Sequence, residues 1–528
     1  MSSLRAAHPF SFPYPRGTVP RMLRFDRRAA AAQADTLATE WRTEGGPGGV
    51  IILFGRDGLT HAACGGLADL AHGLAVTPDT SFRWASITKQ FLAALALRAG
   101  PGLDEALGRH LPALSPGIAA VSIGRALDMT SGLPDAMEAA WQTHVPPSAA
   151  MSRATLFDFV ARLPGLNYRQ GSEISYTNTG YRLVQHLLEA RTGPVGAAWQ
   201  DGYFRPLGMR ATRFPEDWTD PVPRLARGYW RDPQGAWHEG RYGPHFSASG
   251  GLAGPATDLA LWLAGMLAGS GPLVGVLEAL SAPRRLSGGT ETSYGLGLGR
   301  SRLGSHVLCG HGGSLPGFKN HVLLSRELDS GVVVLTNREE TDSLGLALSV
   351  MAAGLGVTQA PPLKPDALRP GLYAAEDGGP FWIEVADGSV CFLGATERLY
   401  AGDEGWAVSR SPYMWIRLRQ EREAILGTVN HVARRLVAVR DAACDPAWAG
   451  EWRNGSFGAS FTISADGTAL TTGAGPLRGT VPLTPLGAGR AVFRRADGPW
   501  SQRPCLHFQG DTVRVVTNRC RVLELRRA

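Results

Sequence analysis

The last third of this 528-residue chain contains an internal repeat with a period of 79 residues. The glycines and the Asp-Gly turn of the first copy recur in the second, at the pairs Gly371 and Gly450, Asp387 and Asp466, and Gly394 and Gly473. Each leading glycine is followed two places on by an aromatic residue, Tyr373 or Trp452. Turn residues at such intervals, with almost no helical periodicity between them, indicate short antiparallel strands. The repeat therefore predicts two tandem copies of one small antiparallel β-barrel domain, a form that closes its own sheet edges.

A proline-rich linker at residues 359–365 separates this repeat from a longer N-terminal region with a different pattern. In that region helical stretches alternate with apolar strand-like runs, which is typical of helices packed on a mostly antiparallel sheet. Helices are predicted near residues 27–41, 154–163, 180–192 and 256–267, and strands near 50–54, 59–64, 307–309, 321–324 and 331–335. The chain is therefore predicted to be multidomain α+β, with an N-terminal extension at 1–24, an α+β domain at 25–360 and β-barrel domains at 361–443 and 444–528.

Charge and hydropathy exclude several classes of partner. The net charge of +7 comes from scattered arginines, without a run of five or more like charges, so a nucleic-acid partner is not expected. No apolar segment reaches the roughly 18 residues of a membrane span, so no membrane is expected. The first 21 residues contain four prolines and no apolar stretch of signal-peptide length. We expect a cytoplasmic protein, and the sequence leaves open whether translation starts at Met1 or Met22.

Lysine is rare in this chain, and one lysine follows a serine at helical spacing. The three lysines are Lys89, Lys319 and Lys364, against 50 arginines, and only Lys89 has a serine three residues before it, at Ser86. A helix is expected to begin at Ser86, and residues i and i+3 share a helix face, so the Ser86 hydroxyl and the Lys89 amine are expected to meet. A buried lysine can lose its proton and then accept one from serine, whereas arginine stays charged. This spacing predicts Ser86 as a nucleophile and Lys89 as its general base.

Two further motifs follow in chain order, Tyr176-Thr177-Asn178 and His311-Gly312-Gly313. Tyr176 is predicted to accept the proton or to pass it to the leaving group, and Asn178 to hold the catalytic amine or the substrate carbonyl. His311 and Gly313 are predicted to lie on the strand that binds substrate. An N–H of that strand would join the N–H of the nucleophile in an oxyanion hole.

Each of these signals also has a purely structural interpretation. S-x-x-K is often a solvated helix start, and a tyrosine is more often a core aromatic than a catalyst. A second H-x-G, at His238-Glu239-Gly240, lies among Arg, Asp, Pro and Gly and is typical of a hairpin loop. However, an apolar helix follows Lys89, Tyr176 is the only one of 11 tyrosines with Asn two places on, and His311 adjoins an apolar strand. The combination and its order therefore favour the functional interpretation.

Together the motifs resemble those of the penicillin-recognising serine hydrolases of the class C β-lactamase-like branch. The resemblance runs through residues 45–350 and rests on five segments: Ser86–Phe91, Thr130–Pro134, Tyr176–Tyr181, Tyr294–Gly297 and Gly310–Phe318. It implies a β-lactamase/DD-peptidase-like catalytic domain, an antiparallel sheet with helices, that works through an acyl-enzyme without metal or cofactor. His311 stands where the family usually carries Lys-Thr-Gly, which weakens the expected site for a substrate's C-terminal carboxylate.

A domain of this type followed by two eight-stranded β-barrels also resembles the bacterial D-aminopeptidases. That resemblance implies removal of a small, D-alanine-like N-terminal D-residue from short peptides or amides. It also implies a loop of the last barrel that offers a carboxylate to the free amine of the substrate. Asp497 is the candidate, although Asp-Gly is also an ordinary hairpin turn. The alternatives are a broad esterase or amidase, and a penicillin- or peptide-binding receptor that is acylated without turnover. A homodimer is implied by family resemblance alone, and the sequence leaves the preferred side chain, the stereochemistry and the oligomeric state open.

Overall fold

A computed structural model describes residues 25–528 of the chain. The predicted extension at residues 1–24, with both candidate start sites, lies outside the described residues. The α-helices of the described chain are α1 Arg27–Glu44, α2 Lys89–Ala99, α3 Pro116–Ala119, α4 Ile123–Leu127, α5 Ala136–Gln142, α6 Arg153–Ala161, α7 Thr179–Thr192, α8 Val195–Trp199, α9 Arg205–Leu207, α10 Ala256–Ala268, α11 Val276–Ser281 and α12 Ser343–Leu355.

The strands fall into three groups along the chain. The first group is β1 Gly49–Gly55, β2 Gly58–Gly65, β3 Leu67–Asp69, β4 Leu74–Ala75, β5 Ser81–Arg83, β6 Tyr229–Arg231, β7 Trp237–Glu239, β8 Ala253–Pro255, β9 Gly299–Leu303, β10 His306–Leu315, β11 Phe318–Ser325 and β12 Ser330–Thr336. The second is β13 Gly371–Ala375, β14 Trp382–Ala386, β15 Ser389–Phe392, β16 Ala395–Arg398, β17 Tyr400–Ala401, β18 Ala407–Val408, β19 Ile416–Glu421, β20 Ala424–Val429 and β21 Val432–Ala438. The third is β22 Gly450–Asn454, β23 Ala459–Ile463, β24 Ala469–Thr472, β25 Gly479–Pro482, β26 Thr484–Gly487, β27 Arg490–Val492, β28 Arg495–Asp497, β29 Trp500–Gln502, β30 Cys505–Gln509, β31 Thr512–Val516 and β32 Leu523–Arg527.

A six-stranded antiparallel sheet of order β2-β1-β12-β11-β10-β9 forms the centre of the first region. All seven residues of β1 are buried, because both faces of the sheet are covered by helices. Ile51 and Leu53 pack in the apolar cluster that contains α1 and α12. Val50, Ile52 and Phe54 point to the opposite face, as alternate strand residues must, and pack in the cluster that contains α2 and α10. The predicted helices-on-sheet architecture is confirmed.

Two local features differ from the sequence predictions. The helix expected to begin at Ser86 starts instead with a 3-10 turn, Ala85–Thr88, and the α-helix begins at Lys89. The strand predicted around 307–309 extends over ten residues, His306–Leu315. Its second half is rich in glycine, which disfavours strands in isolation, but the antiparallel pairing with β11 runs from Cys309 to Leu315 and holds it extended. Pairing with β11 thus extends the strand beyond the range predicted from the sequence.

Each repeat copy forms a nearly closed antiparallel sheet of nine strands, rather than the eight implied by the family resemblance. The orders are β16-β15-β14-β13-β21-β20-β19-β18-β17 and β25-β24-β23-β22-β32-β31-β30-β27-β26. The two end strands of each sheet are consecutive in the chain, so each sheet curls until its ends approach. Gly388 and Gly467 occupy equivalent hairpin turns with φ of +70° and +75°, a conformation that favours glycine. The predicted tandem repeat is confirmed.

The second barrel is docked tightly on the first region. Cys520 and Leu523 belong to the same buried apolar cluster as the helices of that region. Arg521 and Glu173 form a buried ion pair across the contact, with Nη2–Oε1 2.8 Å apart. The side chain of Gln142 donates to the Cys520 carbonyl at 3.1 Å. A shared core of this kind fixes the segment around residue 520 against the cleft described below.

Within residues 25–528, no single helix has both the length and the apolar character needed to cross a membrane, and the bent pair Ala256–Ala268 and Gly271–Ser281 meets these criteria only when its two segments are joined.

Candidate active site

Ser86 lies on a strained turn between β5 and α2. The residue before it, Ala85, has φ +52°, a left-handed conformation that costs energy for a residue with a β-carbon. The Thr88 hydroxyl donates to the Ala85 carbonyl at 2.7 Å and accepts the Leu252 N–H at 3.0 Å. These bonds hold the turn so that Ser86 faces a large cavity, whose lining includes it.

Lys89 is fully buried and lies beside the nucleophile, as the spacing predicted. Its Nζ is 3.0 Å from Ser86 Oγ, 2.8 Å from Asn178 Oδ1 and 2.6 Å from the Ser249 carbonyl oxygen. The two carbonyl oxygens only accept, so they take both N–H groups of a neutral amine. The lone pair of that amine then remains for the Ser86 hydroxyl.

The electrostatic surroundings of Lys89 favour this neutral form. Burial lowers the pKa of Lys89 well below its usual value, the charge of Asp135 opposes the shift, and the charges of Arg519 and Arg182 add to it. Desolvation disfavours the ammonium because the Lys89 side chain is fully buried. Lys89 is therefore suited to accept a proton rather than to supply a fixed charge.

Tyr176 completes the hydrogen-bonded group around the nucleophile. Its hydroxyl is 2.7 Å from Ser86 Oγ, and its ring lies 4.9 Å from Lys89 Nζ. Burial raises the pKa of Tyr176, and the hydrogen bond to Ser86 only partly offsets this. Tyr176 is thus a protonated phenol that can donate to a leaving group.

Asp135, which the sequence analysis did not identify, orients Asn178. Its Oδ2 accepts the Asn178 backbone N–H at 2.8 Å and the side-chain Nδ2 at 3.1 Å. This fixes the amide so that Oδ1 faces Lys89. The only sequence signal was position, because Asp135 directly follows the Thr130–Pro134 motif.

His311 and Gly313 lie on β10, next to the nucleophile turn. The Gly312 carbonyl only accepts, so His311 Nδ1, 2.5 Å away, carries the proton, and Nε2 accepts from the Tyr294 hydroxyl at 2.9 Å. Burial lowers the pKa of His311 well below its usual value. His311 is therefore neutral and offers no cation on the substrate strand.

Gly313 has a steric reason to be glycine. A β-carbon at this position would lie 2.2 Å from the Trp84 carbonyl oxygen, so only glycine lets β10 approach the nucleophile turn. The Gly312 N–H points away from β11, toward the cavity. Because alternate N–H groups of a strand point the same way, the Ser314 N–H also faces the cavity and is the partner for the Ser86 N–H in an oxyanion hole.

Both barrels extend a loop to the cavity from equivalent places in their sheets. In the first barrel the loop between β18 and β19 carries Tyr413, whose hydroxyl accepts the Gly312 N–H at 2.7 Å and whose ring lies 5.3 Å from that of Tyr176. In the second barrel the same position holds the hairpin β28–β29, of which Pro499–Gln502 line the cavity. The sequence analysis anticipated the second loop but not the first.

Asp497 lies at the tip of that hairpin but does not line the cavity. Its Oδ2 accepts the Ser148 N–H at 2.7 Å and its Oδ1 accepts the Ser148 hydroxyl at 2.9 Å. Both carboxylate oxygens thus tie the hairpin to the first region. A different carboxylate, Glu397 of the first barrel, lines the cavity, and burial raises its pKa to about 8.

The cavity has a volume of about 680 Å³ and is lined by residues of the first region and of both barrels. Arg519, from the turn between β31 and β32, lies over the Tyr176 ring at 4.7 Å from its centroid. Among the described residues no group of three or more His, Cys, Asp or Glu side chains is placed to hold a metal ion. Ser86, Lys89 and Tyr176 meet at one side of this cavity.

Fold and site define the class of protein. The fold is that of β-lactamases and penicillin-binding proteins, and this relationship supports the assignment of the chain as a serine hydrolase. A family model described as Beta-lactamase matches residues 28–354, and the chain belongs to this family.

Comparison with known proteins narrows the relationship. The chain is 28% identical over 354 residues to the D-aminopeptidase of Gluconobacter oxydans (strain 621H). This match covers 65% of this chain and 66% of that relative, which is just under two thirds of its length. It is 25% identical over 490 residues to the D-aminopeptidase of Cereibacter sphaeroides, covering 88% of this chain and 92% of that relative.

Solved structures share the fold. The octameric penicillin-binding protein homologue from Pyrococcus abyssi is 18% identical and superposes with a TM-score of 0.55, over 94% of this chain and 99% of that one. The D-amino acid amidase from Ochrobactrum anthropi SV3, complexed with L-phenylalanine, is 25% identical with a TM-score of 0.51, over 62% and 97%. The first match, at 94% of this chain, extends across the barrels as well.

Proposed function

We propose that this protein is a D-stereospecific serine aminopeptidase, which removes a small N-terminal D-residue from peptides and amides through an acyl-enzyme on Ser86. One observation carries the proposal: Ser86 Oγ lies within hydrogen-bonding distance of both Lys89 Nζ and the Tyr176 hydroxyl. The relatives named D-aminopeptidase and D-amino acid amidase support the substrate class.

In the acylation step the neutral Lys89 amine takes the Ser86 hydroxyl proton while Oγ attacks the carbonyl carbon of the N-terminal residue. The N–H groups of Ser86 and Ser314 stabilise the negative charge that develops on the carbonyl oxygen. The C–N bond then breaks, and the Tyr176 hydroxyl gives its proton to the leaving amine. Tyr176 regains a proton from the Lys89 ammonium through solvent, so both groups return to their starting forms.

Deacylation reverses these roles with water as the nucleophile. The neutral amine of Lys89 takes a proton from water, whose oxygen attacks the ester carbonyl. The ester bond to Ser86 breaks and the serine oxygen recovers its proton. The D-amino acid is released, and a second turnover can begin.

An aminopeptidase also needs a group that binds the free ammonium of its substrate. Asp497 is the candidate from the sequence. To bind the ammonium it would have to break its hydrogen bonds to Ser148, or act from the edge of the site with those bonds intact. Glu397 is the second candidate because it lines the cavity. An approaching ammonium would favour its ionised form and so lower its raised pKa again.

The deciding experiment uses paired D- and L-alanyl p-nitroanilides with the wild-type protein and Ser86→Ala. We expect many product molecules per enzyme from the D-substrate, far fewer from the L-substrate and none above background from the variant. Release of a single equivalent would favour the acylated receptor instead. Equal turnover of D-alanyl and N-acetyl-D-alanyl anilides would favour the broad esterase or amidase.

A further inference from the structure

Arg519 lies on the turn of the second barrel that follows β31, and its backbone carbonyl and N–H both hydrogen-bond to the first region. The Arg519 carbonyl accepts from the Asp135 N–H and from Asn167 Nδ2, each at 2.9 Å. The Arg519 N–H donates to Glu138 Oε2, also at 2.9 Å. Three hydrogen bonds to one residue's backbone fix the origin of its side chain. Domain docking therefore decides where the guanidinium lies.

The Arg519 guanidinium lies at the cavity wall beside the catalytic tyrosine. Its Cζ is 4.7 Å from the centroid of the Tyr176 ring, and its Nε is 4.0 Å from Glu138 Oε1, a loose ion pair. Within residues 25–528 its two terminal nitrogens hydrogen-bond to no protein group, and the side chain is 36% exposed. A guanidinium presents its N–H groups as a planar fork, so two parallel donors remain for a carboxylate.

Other cations at the cavity are already engaged. Lys319 Nζ lies 2.8 Å from Glu339 Oε1 in an ion pair. Arg182 is 7% exposed and donates to the Tyr242 hydroxyl at 3.0 Å. Of the cationic side chains that line the described cavity, Arg519 is thus the one with free donors beside the catalytic tyrosine.

The proposed mechanism places a leaving group at this point. The leaving nitrogen receives its proton from the Tyr176 hydroxyl, so the atoms bonded to that nitrogen lie near the Tyr176 ring. In a dipeptide the carboxylate is only two bonds from the leaving nitrogen. An amide or an anilide has no charge there.

We propose that Arg519 binds the C-terminal carboxylate of the leaving residue, so that the preferred substrates are dipeptides with a free carboxylate rather than amides or long peptides. This proposal rests on the aminopeptidase function proposed above. It supplies from the second barrel the cation that His311 does not provide on the substrate strand.

The test compares D-alanylglycine with D-alanylglycinamide, which differ only in the terminal carboxylate. The wild-type kcat/KM should favour the acid, and Arg519→Gln should reduce that preference about 10- to 100-fold, the usual effect of losing a charged hydrogen-bond partner. Turnover of the amide should fall much less than turnover of the acid, because the amide has no carboxylate to lose this contact. Arg519→Lys should recover part of the preference, because the cation remains without the fork. The exposed Arg494 of the same barrel gives the matched control, Arg494→Gln.

The outcomes separate this proposal from the parent function. Absence of turnover with every D-alanyl substrate would sink the aminopeptidase proposal. Turnover of D-alanylglycinamide without any wild-type preference for the acid would overturn only the role of Arg519. Equal losses on acid and amide in Arg519→Gln would indicate a structural effect on Tyr176, and an equal effect of Arg494→Gln would assign the preference to overall charge; either result contradicts the proposal. A preference that weakens as salt rises would support it.

Discussion

Replacement of Lys89 by arginine tests whether this residue acts as a base or as a charge. The Lys89 amine has three neighbours, two that accept hydrogen bonds and one hydroxyl that can give up its proton. Arginine keeps its positive charge, but its guanidinium has no lone pair to accept the Ser86 proton. If charge were the requirement, Lys89→Arg would work well. If proton acceptance is required, the variant fails.

The size of the loss follows from how the two residues act. A general base contributes about 10²- to 10⁴-fold by itself, but a base and a nucleophile that form one unit are lost together. We therefore expect Lys89→Arg to lower kcat/KM about 10⁴-fold or more, close to Ser86→Ala. Four factors of ten correspond to about 5.4 kcal/mol of transition-state stabilisation.

The assay is the initial rate with D-alanyl p-nitroanilide, normalised to folded protein by circular dichroism and thermal unfolding. Because Lys89 is fully buried, the larger guanidinium can strain the site at a cost of about 1–3 kcal/mol. Lys89→Met, which is uncharged and similar in length, is the second variant and should be equally inactive. Retention of more than about one part in a hundred of the activity by folded Lys89→Arg would refute the base assignment, since it lies far outside the expected range.

Three further predictions follow from other groups. Tyr176→Phe should lower kcat about 10²- to 10⁴-fold on the anilide, which needs a proton to leave, but much less on a D-alanyl p-nitrophenyl ester; equal losses on both substrates would contradict the donor role. Glu397→Gln and Asp497→Ala should be compared by the ratio of kcat/KM for D-alanyl anilide to kcat/KM for its N-acetyl form. The variant that lowers this ratio identifies the carboxylate that binds the substrate amine. Unchanged ratios in both variants would exclude both carboxylates from that role. Burial lowers the pKa of His321 to about 3, so the folded protein keeps this side chain neutral while the unfolded chain takes up a proton below about pH 6.5. The free energy of unfolding therefore falls as pH falls below 6.5, by up to about 1.4 kcal/mol per pH unit. His321→Gln should therefore narrow the difference in thermal midpoint between pH 6.5 and pH 5, and an undiminished difference would disprove this linkage.

The sequence by itself identified the parts of the site that depend on local spacing. Ser86 and Lys89 are three residues apart in one turn, so a helix-like backbone is enough to bring hydroxyl and amine within 3.0 Å. The barrel repeat was equally readable, because glycine at positive φ marks the same turns in both copies. Both inferences need only backbone geometry over a few residues.

Residues that reach the cavity through domain docking could not be read in this way. Tyr413 and Arg519 lie on turns of two different barrels, hundreds of residues from Ser86, and no periodicity links them to it. The family resemblance predicts Asp497 at the substrate amine, but its bonds to Ser148 depend on which side of the hairpin meets the first region. Only the buried contact around residue 520 decides that orientation, because packing of one domain on another is set by complementary surfaces and not by local sequence.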